Sequence, residues 1–110
     1  MLADWCKNTF SCSIFENAQI ERWNVDILIE SRKLIVEYFG TWWHTDPRKF
    51  DDNYVHVFTR KTAKSIRERD ARKIEYLTSV GYNVVVVWEN DWKENNAREK
   101  ERIIDAYNRI

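Results

Sequence analysis

Trp23-Asn24-Val25-Asp26-Ile27-Leu28-Ile29 and, after Glu30-Ser31-Arg32, Lys33-Leu34-Ile35-Val36-Glu37-Tyr38-Phe39-Gly40 are two apolar runs that each carry one acid. In the first, Trp23, Val25, Ile27 and Ile29 alternate with Asn24, Asp26 and Leu28, which is the two-residue period of a strand. The second is almost continuously apolar, as in a central strand covered on both faces. The short turn between them predicts an antiparallel hairpin.

Outward from this hairpin, residues 2–9 read as a short helix and 13–20 as extended chain. Between Gly40 and Thr59, Pro47 and Asp51-Asp52-Asn53 predict a long irregular loop, and loops of that length in compact domains are often functional. A helix is expected from Thr62 to Ser79, closed by Gly81. Tyr82 to Trp88 reads as a Val-rich buried strand, and Asn90-Asp91 offers a cap for a last helix over about 93–109. The order β-β-β-α-β-α predicts an α/β (α+β) fold, a mixed β-sheet flanked by helices.

The 110 residues suit one domain, 1–110, with 15% aromatic and 33% charged residues. No apolar run approaches the roughly 20 residues that span a bilayer. The N-terminus lacks a basic region followed by an apolar core, so no secretion signal is expected. Cys6 and Cys12 are too few for a disulfide scaffold and read as reduced thiols of a cytosolic protein. A net charge of zero counts against a stand-alone, high-affinity nucleic-acid binder. The charge is uneven, however. Arg60, Lys61, Lys64, Arg67, Arg69, Arg72 and Lys73 face only Glu68 and Asp70 in that stretch. It reads either as a solvated helix face or as a surface contacting phosphates.

Carboxylates within strands are costly to bury without a partner, and a metal ion is one partner that makes two of them tolerable. Asp26 reads as a metal ligand or an edge-strand surface acid, and Glu37 as a ligand, a supporting group or half of an ion pair with the basic helix. Oxygen ligands suit Mg2+ or Mn2+ better than zinc. Such an ion would assist phosphodiester hydrolysis by offsetting developing charge and acidifying water. His44, just beyond the strand end, is the candidate base. Asp70 interrupts the stripe Ala63, Ile66, Ile74, Leu77, so it either joins the site of Asp26, Glu37 and His44 or is neutralised by Arg69 or Arg72. Trp42 and Trp43 read as core or as planar groups that wedge between bases.

These residues together resemble the Vsr-like nucleases, comprising the very short patch repair endonucleases and the homing endonucleases with an "EDxHD" signature, within the PD-(D/E)XK restriction-like fold. The resemblance runs from about Asn24 to Trp92. It is carried by Val25-Asp26-Ile27, the run Leu34 to Gly40, Trp43-His44, Glu68-Arg69-Asp70, and Gly81-Tyr82-Asn83-Val84 through Val87-Trp88-Glu89. It implies that Asp26 binds the metal, that the Tyr38 backbone carbonyl joins it, that His44 is the general base and that Asp70 is the last signature aspartate. It also implies that Trp42-Trp43 intercalate into double-stranded DNA. Arg60, Lys61, Lys64 and Arg67 are then the expected phosphate contacts.

The chain departs from the family pattern at several points. The signature's first glutamate would fall just ahead of Met1, so either Glu16 or another acid replaces it or the chain is a piece of a longer protein. Thr41 and Asn90 stand where the repair enzymes have zinc-binding cysteines, so no structural zinc is expected. Phe39 replaces a second histidine, and no lysine follows Glu37 at the E-x-K spacing, which leaves His44 as the base. The expectation is therefore a Mg2+-dependent DNA endonuclease domain of homing type in a bacterial or phage-type host cell, with sequence recognition in a separate segment or partner. The alternatives are a strand-specific mismatch nickase and a non-catalytic DNA-binding remnant.

Overall fold

The structure, a computed structural model, describes residues 1–109. Helix α1 (Leu2–Thr9) leads into β1 (Phe15–Ile20), β2 (Trp23–Ile29) and β3 (Leu34–Phe39). The long loop then reaches α2 (Ala63–Ser79), β4 (Asn83–Trp88), α3 (Glu89–Glu94) and α4 (Asn96–Asn108). The four strands form one sheet in the order β1-β2-β3-β4. β1–β2 and β2–β3 are antiparallel, and β3–β4 is parallel from Leu34↔Asn83 to Phe39↔Trp88. This is a mixed α/β sheet flanked by helices, consistent with a restriction-endonuclease-like fold. Among the described residues no helix is long and apolar enough to cross a membrane.

Local chemistry sets the boundaries of α2. The Thr62 hydroxyl accepts the Ser65 N–H at 3.1 Å, capping its start. At its end Gly81, at φ +104°, lets the Tyr82 N–H reach the Leu77 carbonyl and the Gly81 N–H reach that of Thr78. That is the paired closing bond of a left-handed glycine cap. The final helical segment differs from expectation. It breaks at Asn95, whose side chain accepts the Arg98 N–H, so Asn90 and Asp91 lie inside α3 and Asn95 is the cap of α4.

Each sheet face carries its own core. Leu2 and Cys6 of α1 and Ile103 and Ala106 of α4 pack with Ile27, Ile29, Leu34, Val36, Val85 and Val87 on one side. Leu77 of α2 packs with Val25, Leu28 and Ile35 on the other. Val25 and Ile27, two residues apart, thus belong to opposite faces, contrary to the simple alternation expected. β2 changes face at Asp26, and that break positions the site.

Candidate active site

Asp26 sits in a gap in both of its ladders. The β1–β2 register passes from Glu16↔Ile27 to Ala18↔Val25, with Asn17 in the left-handed region at φ +52°. The β2–β3 register begins only at Ile27↔Val36. Side chains supply the missing bonds. The Asp26 N–H donates to Glu37 Oε1 at 3.2 Å, and the Tyr38 N–H donates to Asp26 Oδ2 at 2.8 Å. The carboxylate is thereby held by backbone at one oxygen. It lines a pocket of about 170 Å³ with Met1, Leu2, Glu16, Tyr38 and Trp92. Glu16, considered above as an alternative to the signature's first glutamate, shares a pocket with Asp26, and it also pairs with Lys7 of α1.

Glu37 is only 2% exposed, and both its oxygens are engaged. Oε2 accepts from Lys73 Nζ of α2 at 2.9 Å. Burial first, and then the neighbouring Asp26 charge, push the Glu37 carboxyl above its ordinary range, against the opposing pull of Lys73. The geometry makes Glu37 the group that fixes the Asp26 backbone. The ion pair with the basic helix, one of the readings of Glu37, is thus present, and Lys73 is the cation that makes it. It brings an ammonium to the strand acid from a helix, although no lysine stands at the usual strand spacing.

One turn before Lys73 on α2, Asp70 Oδ2 lies 2.8 Å from His44 Nδ1. Asp70 is buried at 7% exposure, as expected of an acid in the core-facing stripe. The imidazole stacks on Phe39 at 4.0 Å with the rings 4° from parallel. Phe39 therefore sets the plane of the imidazole. A carboxylate only accepts, so the imidazole hydrogen is assigned to Nδ1 and Nε2 is left as a base.

His44 rides on the long loop, and two cationic clamps hold that loop. Arg67 donates to the carbonyls of Thr45 and Phe50 at 3.1 and 3.0 Å and to Asp52 at 2.7 Å. It was expected to contact phosphate, but its guanidinium is committed to the loop. The exposed Arg60, Lys61 and Lys64 form no ion pair among the described residues. Arg48 bridges the buried Asp46 and Asp91 of α3 at 2.7 and 2.8 Å, joining the loop to the segment after β4. The hydrogen bonds from Arg48 hold the Asp46 carboxyl below its ordinary range. The Thr41 N–H donates to Glu89 Oε1 at 3.0 Å across the same junction.

The two adjacent tryptophans differ in exposure, Trp42 being half-buried and Trp43 exposed. Trp42 stacks on the fully buried His56 at 4.1 Å and donates through Nε1 to the Tyr54 hydroxyl at 3.0 Å. Trp43 is 53% exposed and stacks on Phe58, itself 72% exposed, at 5.8 Å. With Val55 and Val57 also exposed, the loop presents an apolar ridge beside His44. Phe58 carried no sequence signal, because loop exposure depends on how the clamps shape the chain.

Among the described residues no three His, Cys, Asp or Glu side chains are grouped to hold a metal ion. Mg2+ does not need such a cage. It keeps several waters and is commonly held by one or two carboxylates plus substrate phosphate. Hard oxygens from Asp26 and Glu16 around one pocket fit that chemistry, and the thiols do not compete. Burial pushes the Cys6 thiol up to about 11. The structure thus joins Asp26 to Glu37, Tyr38 and Glu16, and His44 to Asp70, with Lys73 and Asp70 neighbouring each other on α2. No family model, curated protein or solved structure matches this chain.

Proposed function

We propose that the chain is the catalytic domain of a Mg2+-dependent DNA endonuclease of homing type. The observation that carries this reading is the 2.8 Å contact between His44 and Asp70, made between a loop and a helix, beside the strand pair that fixes Asp26. The pair supplies an oriented base and the pocket of Asp26 supplies oxygen ligands, the two components that hydrolysis of a phosphodiester requires.

In this reading Asp26 and Glu16 would hold the cation, and the Tyr38 carbonyl would be the further oxygen available to it. The bound ion would offset charge on the phosphorane and leaving oxygen and acidify water. His44 Nε2 takes the proton of the attacking water. Asp70 keeps the imidazole in that tautomer and stabilises its charged form, and Phe39 prevents the ring from rotating. Glu37, neutralised by Lys73, keeps the Asp26 backbone in place. Trp43 and Phe58 stack on bases, while Arg60, Lys61 and Lys64 face the phosphates.

The test is cleavage of supercoiled plasmid with Mg2+, comparing the native chain with Asp26→Ala and His44→Ala. Loss of nicking or linearisation in both variants supports the reading. If the native chain leaves plasmid intact, also with an added upstream acidic helix, the fold is a non-catalytic remnant. Cutting only at mismatches would instead make the domain a strand-specific nickase.

A further inference from the structure

Three arginines gather at the other flank of α2, where none forms an ion pair among the described residues. Arg22 opens β2 from the hairpin turn, and Arg69 and Arg72 lie three residues apart on α2. The guanidinium carbons of Arg22 and Arg69 lie 4.7 and 5.2 Å from the centroid of the Trp23 ring. Arg72, Trp23 and Tyr76 line an open cleft of about 370 Å³ there with Arg22 and Glu21. Glu21 is the one acid in that lining, so positive charge dominates.

The chemistry of this cluster differs from that of Arg48, Arg67 and Arg102, whose guanidiniums end on carboxylates. A guanidinium held over an indole is fixed by its face, and its in-plane N–H donors stay free. Such a fork matches the paired oxygens of a phosphate. Gathering like charges without a counter-ion has a cost, and a polyanion removes it.

The position identifies which polyanion. Trp23 precedes Asp26 by three residues, roughly 10 Å of strand at about 3.3 Å per residue. Arg69 directly precedes Asp70 and Arg72 directly precedes Lys73. Asp70 is the partner of His44 on this same helix, so a backbone laid across the His44–Asp70 pair continues along this flank. We propose that Arg22, Arg69 and Arg72 grip the sugar–phosphate backbone of duplex DNA beside the scissile bond, an inference that rests on the nuclease reading for its substrate. The phosphate contacts thus extend beyond Arg60, Lys61 and Lys64 to the opposite flank of α2.

The test is the salt dependence of binding of the full chain to a labelled DNA duplex, read by fluorescence anisotropy without Mg2+. Each lost phosphate contact lowers the slope of log K against log salt by about 0.9. Arg22→Gln with Arg72→Gln should make that slope shallower by about 2. Arg98→Gln with Arg109→Gln, at the α4 side, should leave it at the native value. Thermal midpoints within a few degrees of native would show that the variants fold, and Arg69→Gln alone provides a second measurement. An unchanged slope in both arginine variants overturns the inference, and so does absence of DNA binding by the native chain. If the native chain cuts plasmid while its salt slope ignores these arginines, only the cleft assignment falls. If the slope depends on them but no cutting occurs, only the nuclease reading falls.

Discussion

Asp70 Oδ2 and His44 Nδ1 are 2.8 Å apart although 26 residues separate them. One turn further along the same helix, Lys73 meets Glu37 at 2.9 Å. Helix α2 thus delivers an anion to the loop histidine and a cation to the strand glutamate. Both contacts lie on the sheet face opposite α1 and α4, and the face switch at Asp26 connects the two sides.

Replacing Asp70 by Asn removes the negative charge beside Nδ1 and allows an amide NH2 to donate where the carboxylate only accepted. The imidazole then takes the other tautomer, with Nε2 protonated and useless as a base. Single-turnover cleavage by Asp70→Asn should fall by about 100- to 10,000-fold, the usual contribution of general base catalysis. His44→Ala should fall by a similar factor, and the double variant should be no worse than either. Additive losses would show that the two residues act separately.

Some of this was legible in the residues alone. The hairpin, the α2 boundaries at Thr62 and Gly81 and the existence of β4 follow from local signals, but β4 is a part-buried edge strand and not the buried one expected. Asp70 was recognisable because a carboxylate interrupts an apolar stripe, and that stripe faces His44. The break at Asp26 was not legible, since it depends on side chain–backbone bonds to Glu37 and Tyr38, 11 and 12 residues away. An ion pair of Glu37 with the basic helix was legible, but not which cation would make it across 36 residues. Arg67 looked like one more exposed cation until the loop closed around it.

Arg67→Ala should therefore act on the fold rather than on phosphate binding. It removes charge-assisted bonds to two loop carbonyls and to Asp52, each worth about 1.5–3 kcal/mol at best and less where solvent reaches. A net loss of about 2–3 kcal/mol in urea unfolding is expected. Hydrogen exchange should quicken at residues 45–52. Lys64→Ala should stay within about 0.5 kcal/mol of native. Equal effects from the two substitutions would contradict the clamp.

Trp42 and Trp43 should separate cleanly by assay. Trp43→Ala and Phe58→Ala delete exposed rings, so thermal stability should barely change. Base–aromatic stacking is worth about 1–3 kcal/mol per base, so DNA affinity should drop roughly fivefold to a hundredfold. Trp42→Ala removes the partner of Tyr54 and His56 and should lower the melting temperature. A large stability loss in Trp43→Ala with unchanged DNA affinity would reverse the assignment.

Lys73→Met should give a stability defect that depends on pH. Burial and Asp26 raise the Glu37 carboxyl above its ordinary value, and the Lys73 ammonium opposes both. An acid raised on folding destabilises the protein as pH climbs through its folded value, and costs nothing below the unfolded value of about 4.3. Removing the ammonium raises Glu37 further and leaves a buried charge without its partner. Unfolding measurements at pH 8 should show a loss of about 3–5 kcal/mol, the usual effect of breaking a buried pair. The loss should shrink steadily toward pH 4, where Glu37 holds its proton in both states. Adding Glu37→Gln to Lys73→Met should restore much of the stability at pH 8, since a neutral amide no longer needs the cation. A deficit that is the same at pH 4 and pH 8 would mean that Lys73 acts through its methylene packing and not through the carboxylate.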